Sequence, residues 1–358
     1  MHVADFDFPL PPELIAQAPL PERDASRLLT LSRSTGAIAH RMVRGLPSLL
    51  RAGDVLVVND ARVIPARLHG KKRDTGGKVE LLLVEPFSAS ARGQGARDLQ
   101  ATDWLAIGGS SKPLRQGAVV DIGGQPFTII DVLGGGEVRV RLPAHLDTEA
   151  ALHAFLDEQG QLPLPPYIER EPEAADRERY QTLFAKTKGA IAAPTAGLHF
   201  TERLLAALDA QGVLRKHVTL HVGPGTFLPV RVDRTEDHRM HRERYDVPAD
   251  TAQTIAAARA QGHRVIAVGT TALRTLEAAF DPATRAPRPG PGSTDLFCTP
   301  GYDFRAVDAL FTNFHLPKST LVMLVAAFAG LDHIKAAYAA AVAERYRFFS
   351  YGDAMLIA

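Results

Sequence analysis

A chain of 358 residues, 46% hydrophobic and 23% charged, has the balance of a globular protein with two domains, or one large domain carrying an insertion, and excludes a disordered or fibrous one. The net charge of +1 supplies no global positive field, so contact with nucleic acid has to come from local patches. Cys298, the single cysteine, excludes an intramolecular disulfide and a thiolate metal site; with early acids and no long apolar stretch in MHVADFDFPL, the expected location is a reducing cytoplasm.

Residues 53–59 (GDVLVVN) read as a buried strand after a turn. From 62 to 142 the character changes: KVELLLVEPF, DWLAIGGSS and AVVDIGGQPFTIIDVLGGGEVRVRL are short β-rich runs broken by Gly, Ser and Asp, without a helical period. This pattern predicts a small antiparallel β-barrel or sandwich. The stiff, Pro-rich LPLPPY at 162–167 marks its far boundary. The expected division is a discontinuous α/β catalytic domain, 1–61 and 156–358, interrupted by a barrel at 62–155.

The remainder alternates strand and helix in three units of one plan. Predicted strands at 190–193, 263–268 and 309–314 each lead into a polar, Gly-rich or Ser/Thr-rich loop, and each loop into a helix with apolar spacing of three and four. Such units build a parallel sheet whose ligands bind at the carboxyl ends of the strands. The longest apolar run, 321–330, is too short for a bilayer and predicts a buried helix, so no membrane partner is expected.

The loops carry the chemistry. In Pro194–Phe200, Thr195 and Gly197 let backbone approach a ligand, and His199 suits proton transfer near neutral pH. His217 and His221 share a strand face and have a metal-ligand spacing, but no carboxylate cluster accompanies them and no metal is expected. The turn at Gly223, Pro224 and Gly225 is loosely of the phosphate- or nucleoside-binding kind. Thr270, Thr271 and Arg274 at a helix start suit an anion such as an amino-acid carboxylate. Asp295 suits ribose hydroxyls or an amine. Asn313, His315 and Ser319 crowd a third strand end. Aromatics at 346–351 suit base stacking or the core. Basic clusters at Arg62, Arg67, Lys71, Lys72, Arg73 and Lys78, and at 239–244, suit RNA phosphates or a solvated face. Each motif singly also fits a helix cap, a turn or a packed core.

Taken together and in order, NDARVIPARL, PLPPYI, APTAGLHFT, TLHVGPGTFLPV, VIAVGTTALRTLE, TDLF, PGYDF and TNFHLPKSTLVMLVAAFAG closely resemble the S-adenosylmethionine:tRNA ribosyltransferase-isomerase family of queuosine biosynthesis. The resemblance runs from VADFDFPLP to YRFFSYGDAMLI; Lys318 stands where an acid is common and Ala272 where Ser is. It implies an α/β catalytic domain with an inserted β-barrel. It also implies transfer of the ribosyl group of S-adenosylmethionine to 7-aminomethyl-7-deazaguanine at the tRNA wobble position. There the sugar is rebuilt as an epoxycyclopentane; adenine and methionine leave, and epoxyqueuosine-tRNA results. S-adenosylmethionine is then a co-substrate, with no prosthetic group and no metal; the partners are that donor and the tRNA, with a monomer expected and an oligomer on tRNA the other possibility. Within this reading His199, His221 and His315 divide the proton transfers and Asp295 orients the ribose or the amine. Thr270, Thr271 and Arg274 hold the methionine end, and Thr195, Gly197, Gly223, Asn313 and Ser319 complete the donor site.

Two other readings remain at this point. An S-adenosylmethionine-dependent RNA methyltransferase predicts a Gly-rich fingerprint with an acid about 20 residues on, and none fits. A non-catalytic tRNA-binding protein predicts stacking aromatics in the β-rich region, which has few, Trp104 among them.

Overall fold

The computed structural model describes residues 1–87, 99–223 and 230–358. They divide into a larger unit (Met1–Arg62, Pro165–Glu171 and Ala175–Ala358) and a smaller one (Val63–Leu164 with Pro172–Ala174).

Strands β1 (Arg27–Leu31), β2 (Ile38–Met42), β3 (Val55–Asn59) and β4 (Ala61–Val63) come first. The barrel strands follow: β5 (Arg67–Lys72), β6 (Lys78–Pro86), β7 (Asp103–Ser110), β8 (Val119–Ile122), β9 (Gln125–Gly134) and β10 (Glu137–Arg141). After helices α1 (Glu149–Gln159) and α2 (Asp176–Arg179) come β11 (Thr187–Ala190), α3 (Glu202–Ala210), β12 (Leu214–Leu220) and β13 (Glu243–Val247). The chain continues through α4 (Ala249–Ala260), β14 (Val265–Val268), α5 (Thr270–Ala279), the short strands β15 (Phe280–Asp281) and β16 (Ala286–Pro287), and β17 (Gly290–Thr294). It closes with β18 (Ala309–Asn313), α6 (Thr320–Ala329), α7 (Leu331–Ala343) and β19 (Ala354–Ile357).

In the larger unit nine strands form one sheet in the order β17-β13-β12-β3-β14-β18-β19-β1-β2. Its centre, β12, β3, β14 and β18, is parallel. A parallel sheet has to be covered on both faces, which is why β3 and β14 are continuous apolar runs. Val55, Val57, Val265 and Ala267 point into a core shared with α4, α5, α6 and α7. Leu56, Val58, Ile266 and Val268 point into a second core with α3. The apolar helix α6 ends at Gly330, whose φ of 92° turns the chain through 116° into α7. No single helix among the described residues is long and apolar enough to cross a membrane.

The smaller unit is a closed antiparallel barrel, β10-β7-β6-β5-β8-β9, filled by Leu68, Leu81, Leu83, Phe127, Ile129 and Val140, with Leu152 and Leu156 of α1 joining the same core. Asp103 is fully buried there, paired with Arg139 and, at 2.7 Å, with Arg141.

One predicted strand is displaced. Residues 190–193 are not a strand of the main sheet: β11 ends at Ala190 and pairs with β4, while Ile191 donates its N–H to the Val222 carbonyl at 3.0 Å. Gly189, at φ 127°, lies in β11 just before this apolar stretch, and beyond Ala190 residues 191–193 are irregular. The strands predicted at 263–268 and 309–314 are β14 and β18, both parallel and adjacent in the sheet.

Candidate active site

The carboxyl ends of β12, β14 and β18 border one cleft of about 540 Å³, open mouth included. After β14, Gly269, Thr270 and Thr271 enter it; after β18, Thr312 to His315; the loop Ala192–Ala196 and Val222 complete that side. Tyr167, Phe349 and Ser350 form the opposite wall. The strand topology thus brings Thr195, Thr270, Thr271, Asn313 and His315 together, although they are spread over 120 residues.

Asn313 is the hub. Its Nδ2 donates to the Phe349 carbonyl at 3.0 Å and lies 3.1 Å from His199 Nε2, and its Oδ1 accepts from Thr195 Oγ1 at 3.2 Å. Because a carbonyl only accepts, Phe349 fixes the amide orientation, and His199 Nε2 has to accept. His199 is 3% exposed; burial pushes its pKa down to about 4, opposed by a bond from its ring to the Arg23 backbone and reinforced by the charges of Arg347 and Arg23. It is therefore a neutral ring with its lone pair already engaged, behind Asn313 and outside the lining of the cleft.

His315 does line the cleft. Burial takes its pKa to about 3, its Nε2 is 3.0 Å from Thr312 Oγ1, and its backbone N–H donates to Tyr338 Oη at 3.0 Å. Phe349 sits at φ 74°, a left-handed conformation that costs a non-Gly residue about 1 kcal/mol or more. Bonds from its N–H to the Phe314 carbonyl and from Asn313 to its own carbonyl hold it there, with the Tyr167 ring 3.8 Å away, edge-on. Tyr167 in turn hydrogen-bonds Ser350.

Helix α5 opens into the cleft at Gly269, φ 89°, without a side-chain cap, so the first-turn N–H groups face the ligand space. The buried hydroxyl of Thr271 has no hydrogen-bond partner among the described residues. Arg274, by contrast, turns away: it pairs with buried Glu243, and its Nε donates to the Leu296 carbonyl at 3.0 Å. Glu243 also accepts the Gly223 N–H at 2.9 Å, so this pair braces the start of the Gly223 turn rather than lining the cleft. Pro224 and Gly225 of that turn lie outside the described residues.

The other predicted residues are placed elsewhere. Ser319 caps α6, accepting from the Val322 N–H at 3.2 Å and donating to Leu316 at 2.7 Å. Gly197 lies in a buried turn where a Cβ would come within 2.8 Å of Thr182, a packing role. His221 follows β12, and its backbone N–H bonds Arg244 at 3.0 Å; neither it nor exposed Asp295 lines the cleft. Among the described residues no cluster of His, Cys, Asp and Glu fits a metal ion. Three structural participants escape sequence reasoning: Tyr167 and Ser350 in the wall, and Glu243. Asn59 and Asp60, inside the NDARVIPARL string, tie β3 to β12 through Leu220 and Thr219.

A cleft of this construction, with polar loops and a free helix start at the ends of adjoining parallel strands, is that of an α/β enzyme. The profile of a family described as queuosine biosynthesis protein matches residues 3–357. The chain is 56% identical over 357 residues to the S-adenosylmethionine:tRNA ribosyltransferase-isomerase of Anaeromyxobacter dehalogenans strain 2CP-C, covering 100% of this chain and 99% of that one. It is 52% identical over 359 residues to the Geobacter sulfurreducens protein of the same name, with full coverage of both. A crystal structure of S-adenosylmethionine tRNA ribosyltransferase from Thermotoga maritima is 35% identical, covers 99% of this chain and 100% of that one, and superposes with a TM-score of 0.53. The chain belongs to the queuosine biosynthesis protein family.

Proposed function

We propose that the protein is an S-adenosylmethionine:tRNA ribosyltransferase-isomerase. It moves the ribosyl group of the donor onto the aminomethyl nitrogen of 7-aminomethyl-7-deazaguanine in the tRNA anticodon, releases adenine and methionine, and leaves epoxyqueuosine. Full-length membership of the family supports the reaction, and the observation that carries its location is the convergence of three strand ends on one cleft.

The chemistry asks for a base near the acidified 5′ carbon beside the sulfonium, hydrogen bonds to the departing adenine, and an amine free of its proton. His315 is the imidazole that lines the cleft, and being neutral it offers an acceptor without adding charge beside a cationic donor. We assign it a hydrogen-bonding role towards the donor, as a neutral ring set by Thr312. His199 is a positioning residue acting through Asn313. The methionine carboxylate is assigned to the open start of α5 and the Thr271 hydroxyl rather than to Arg274, whose charge Glu243 already neutralises. Arg274 and Glu243 shape the Gly223 turn. His221 and Asp295 stand outside the cleft lining and take no part in this assignment.

Mass spectrometry of substrate tRNA, after incubation with donor labelled separately in ribose and methyl, tests the reading. Ribose label enters the RNA and methyl label leaves with methionine. Methyl label on the RNA overturns the proposal in favour of a methyltransferase.

A further inference from the structure

Behind the hub a second cleft opens in the same unit. Arg23, Arg179, Leu20, His199 and Tyr351 line it, and Ser350 lines both clefts. Its charges are unusual. Arg23 donates to the carbonyls of Gln181 at 2.7 Å and Glu178 at 3.1 Å, Arg179 to those of Pro21 at 3.3 Å and Leu20, and Arg347, beside them, to that of Ala18. All these partners are neutral backbone. Of the nearby carboxylates, Asp176 bonds Arg170 and Tyr351, Asp24 bonds Arg203 and Thr201, and Asp353 takes the backbone N–H groups of Arg27 and Arg347; Glu178 and Asp353 act on Arg23 and Arg347 through their charge. Arg179 Nε and Arg347 Nη1 are buried without a partner among the described residues.

Crowded, half-buried guanidiniums whose hydrogen bonds go to neutral carbonyls gain from an added anion, and their planar donors match a two-oxygen one. Burial and then the charge of Arg179 lower the Arg23 pKa, with Glu178 opposing, and the Arg347 and Arg23 charges add to the effect of burial on His199, so these guanidiniums act on one another and on the ring across this space. The shared wall at Ser350 places such an anion one residue's width from the reacting cleft.

We propose that the second cleft binds a phosphodiester of the substrate RNA adjoining the modified nucleotide, held by Arg23, Arg179 and Arg347. The inference rests on the RNA-modifying reading of the first cleft. A carboxylate has the same two-oxygen chemistry, but that of the donor already has the start of α5.

The test is equilibrium binding of a fluorescent anticodon stem-loop RNA at several salt concentrations, with the donor KM measured alongside. Arg179→Gln and Arg347→Gln each weaken RNA binding about tenfold, as loss of one charge-assisted contact does. Each also lowers the slope of log affinity against log salt by about 1, whereas Arg179→Lys keeps the slope. Unchanged RNA affinity and slope in variants that melt as wild type does overturn the proposal. So does a rise in donor KM with RNA binding intact, because the cleft then holds the donor carboxylate. The binding arm needs no turnover: RNA binding lost in the variants, with a wild-type protein that transfers no ribose, upholds the phosphate site and sinks the reaction instead.

Discussion

His199 and His315 show how burial decides what a residue is able to do. Their folded pKa values, about 4 and about 3, lie below the ordinary 6.5. Between these values the unfolded chain binds protons that the folded one refuses, so the stability they contribute is complete above pH 6.5 and is lost as pH falls towards 4. The slope reaches up to about 1.4 kcal/mol per pH unit for each ring. Urea midpoints at pH 7 and pH 5 should therefore drop steeply in the wild type and less in a His199→Gln, His315→Gln double variant. Glu277 and Asp353, raised by burial, act in the opposite sense in both proteins and cancel in the comparison. Parallel profiles would discard buried neutral histidines as the cause. From sequence, these rings are polar groups at strand ends, and that much is legible; that one lines the cleft and the other stands behind it depends on Asn313 and Phe349 meeting across the fold.

Among elements, the starts of α5 and α6 look alike in sequence, each with Ser or Thr beside a polar loop, and the structure separates them. Ser319 is consumed as a cap, whereas Gly269 leaves its helix start open. Ser319→Ala should cost about 1 kcal/mol of stability and leave the donor KM within twofold. Thr271→Val, which keeps the shape and removes the hydroxyl, should raise the donor KM roughly fivefold to tenfold with little change in melting temperature. The reverse pattern would move the methionine end to α6. The parallel strands β14 and β18 were readable because β-branched and apolar runs between Gly and polar loops have few alternatives. Residues 190–193 are also small and apolar but follow Gly189, and the structure puts Ala190 at the end of β11 and bonds Ile191 to Val222 rather than building a strand of the main sheet. Tyr167 and Glu243 carried no local signal: one lies in a proline-rich connection, the other on an edge-side strand whose neighbour is known only from the sheet order.

At the scale of the molecule, each unit owns its core and so its stability. Asp103, 1% exposed, holds Arg139 and Arg141 in the barrel. Asp103→Asn removes the buried charge opposite Arg139 and Arg141 and should cost roughly 3 kcal/mol. Hydrogen exchange should then speed up at β6, β7 and β10 and stay unchanged at β3 and β14; uniform acceleration would mean that the two cores unfold together. The barrel as a class was legible from turn-separated β runs, while its closure, β10 on β7, was not, since no local pattern encodes which strand meets which.

The sheet order also bears on how the molecule is made. Strand β19 is wedged between β18 and β1, parallel to one and antiparallel to the other. The hairpin formed by the earliest strands, β1 and β2, touches the rest of the sheet only through it. A ribosome releases residues 27–42 long before 354–357, so that hairpin waits as an orphan edge until β19 emerges. Phe349 and Ser350 arrive in the same stretch as β19, which means that a nascent chain has no finished cleft wall until its sheet is sealed.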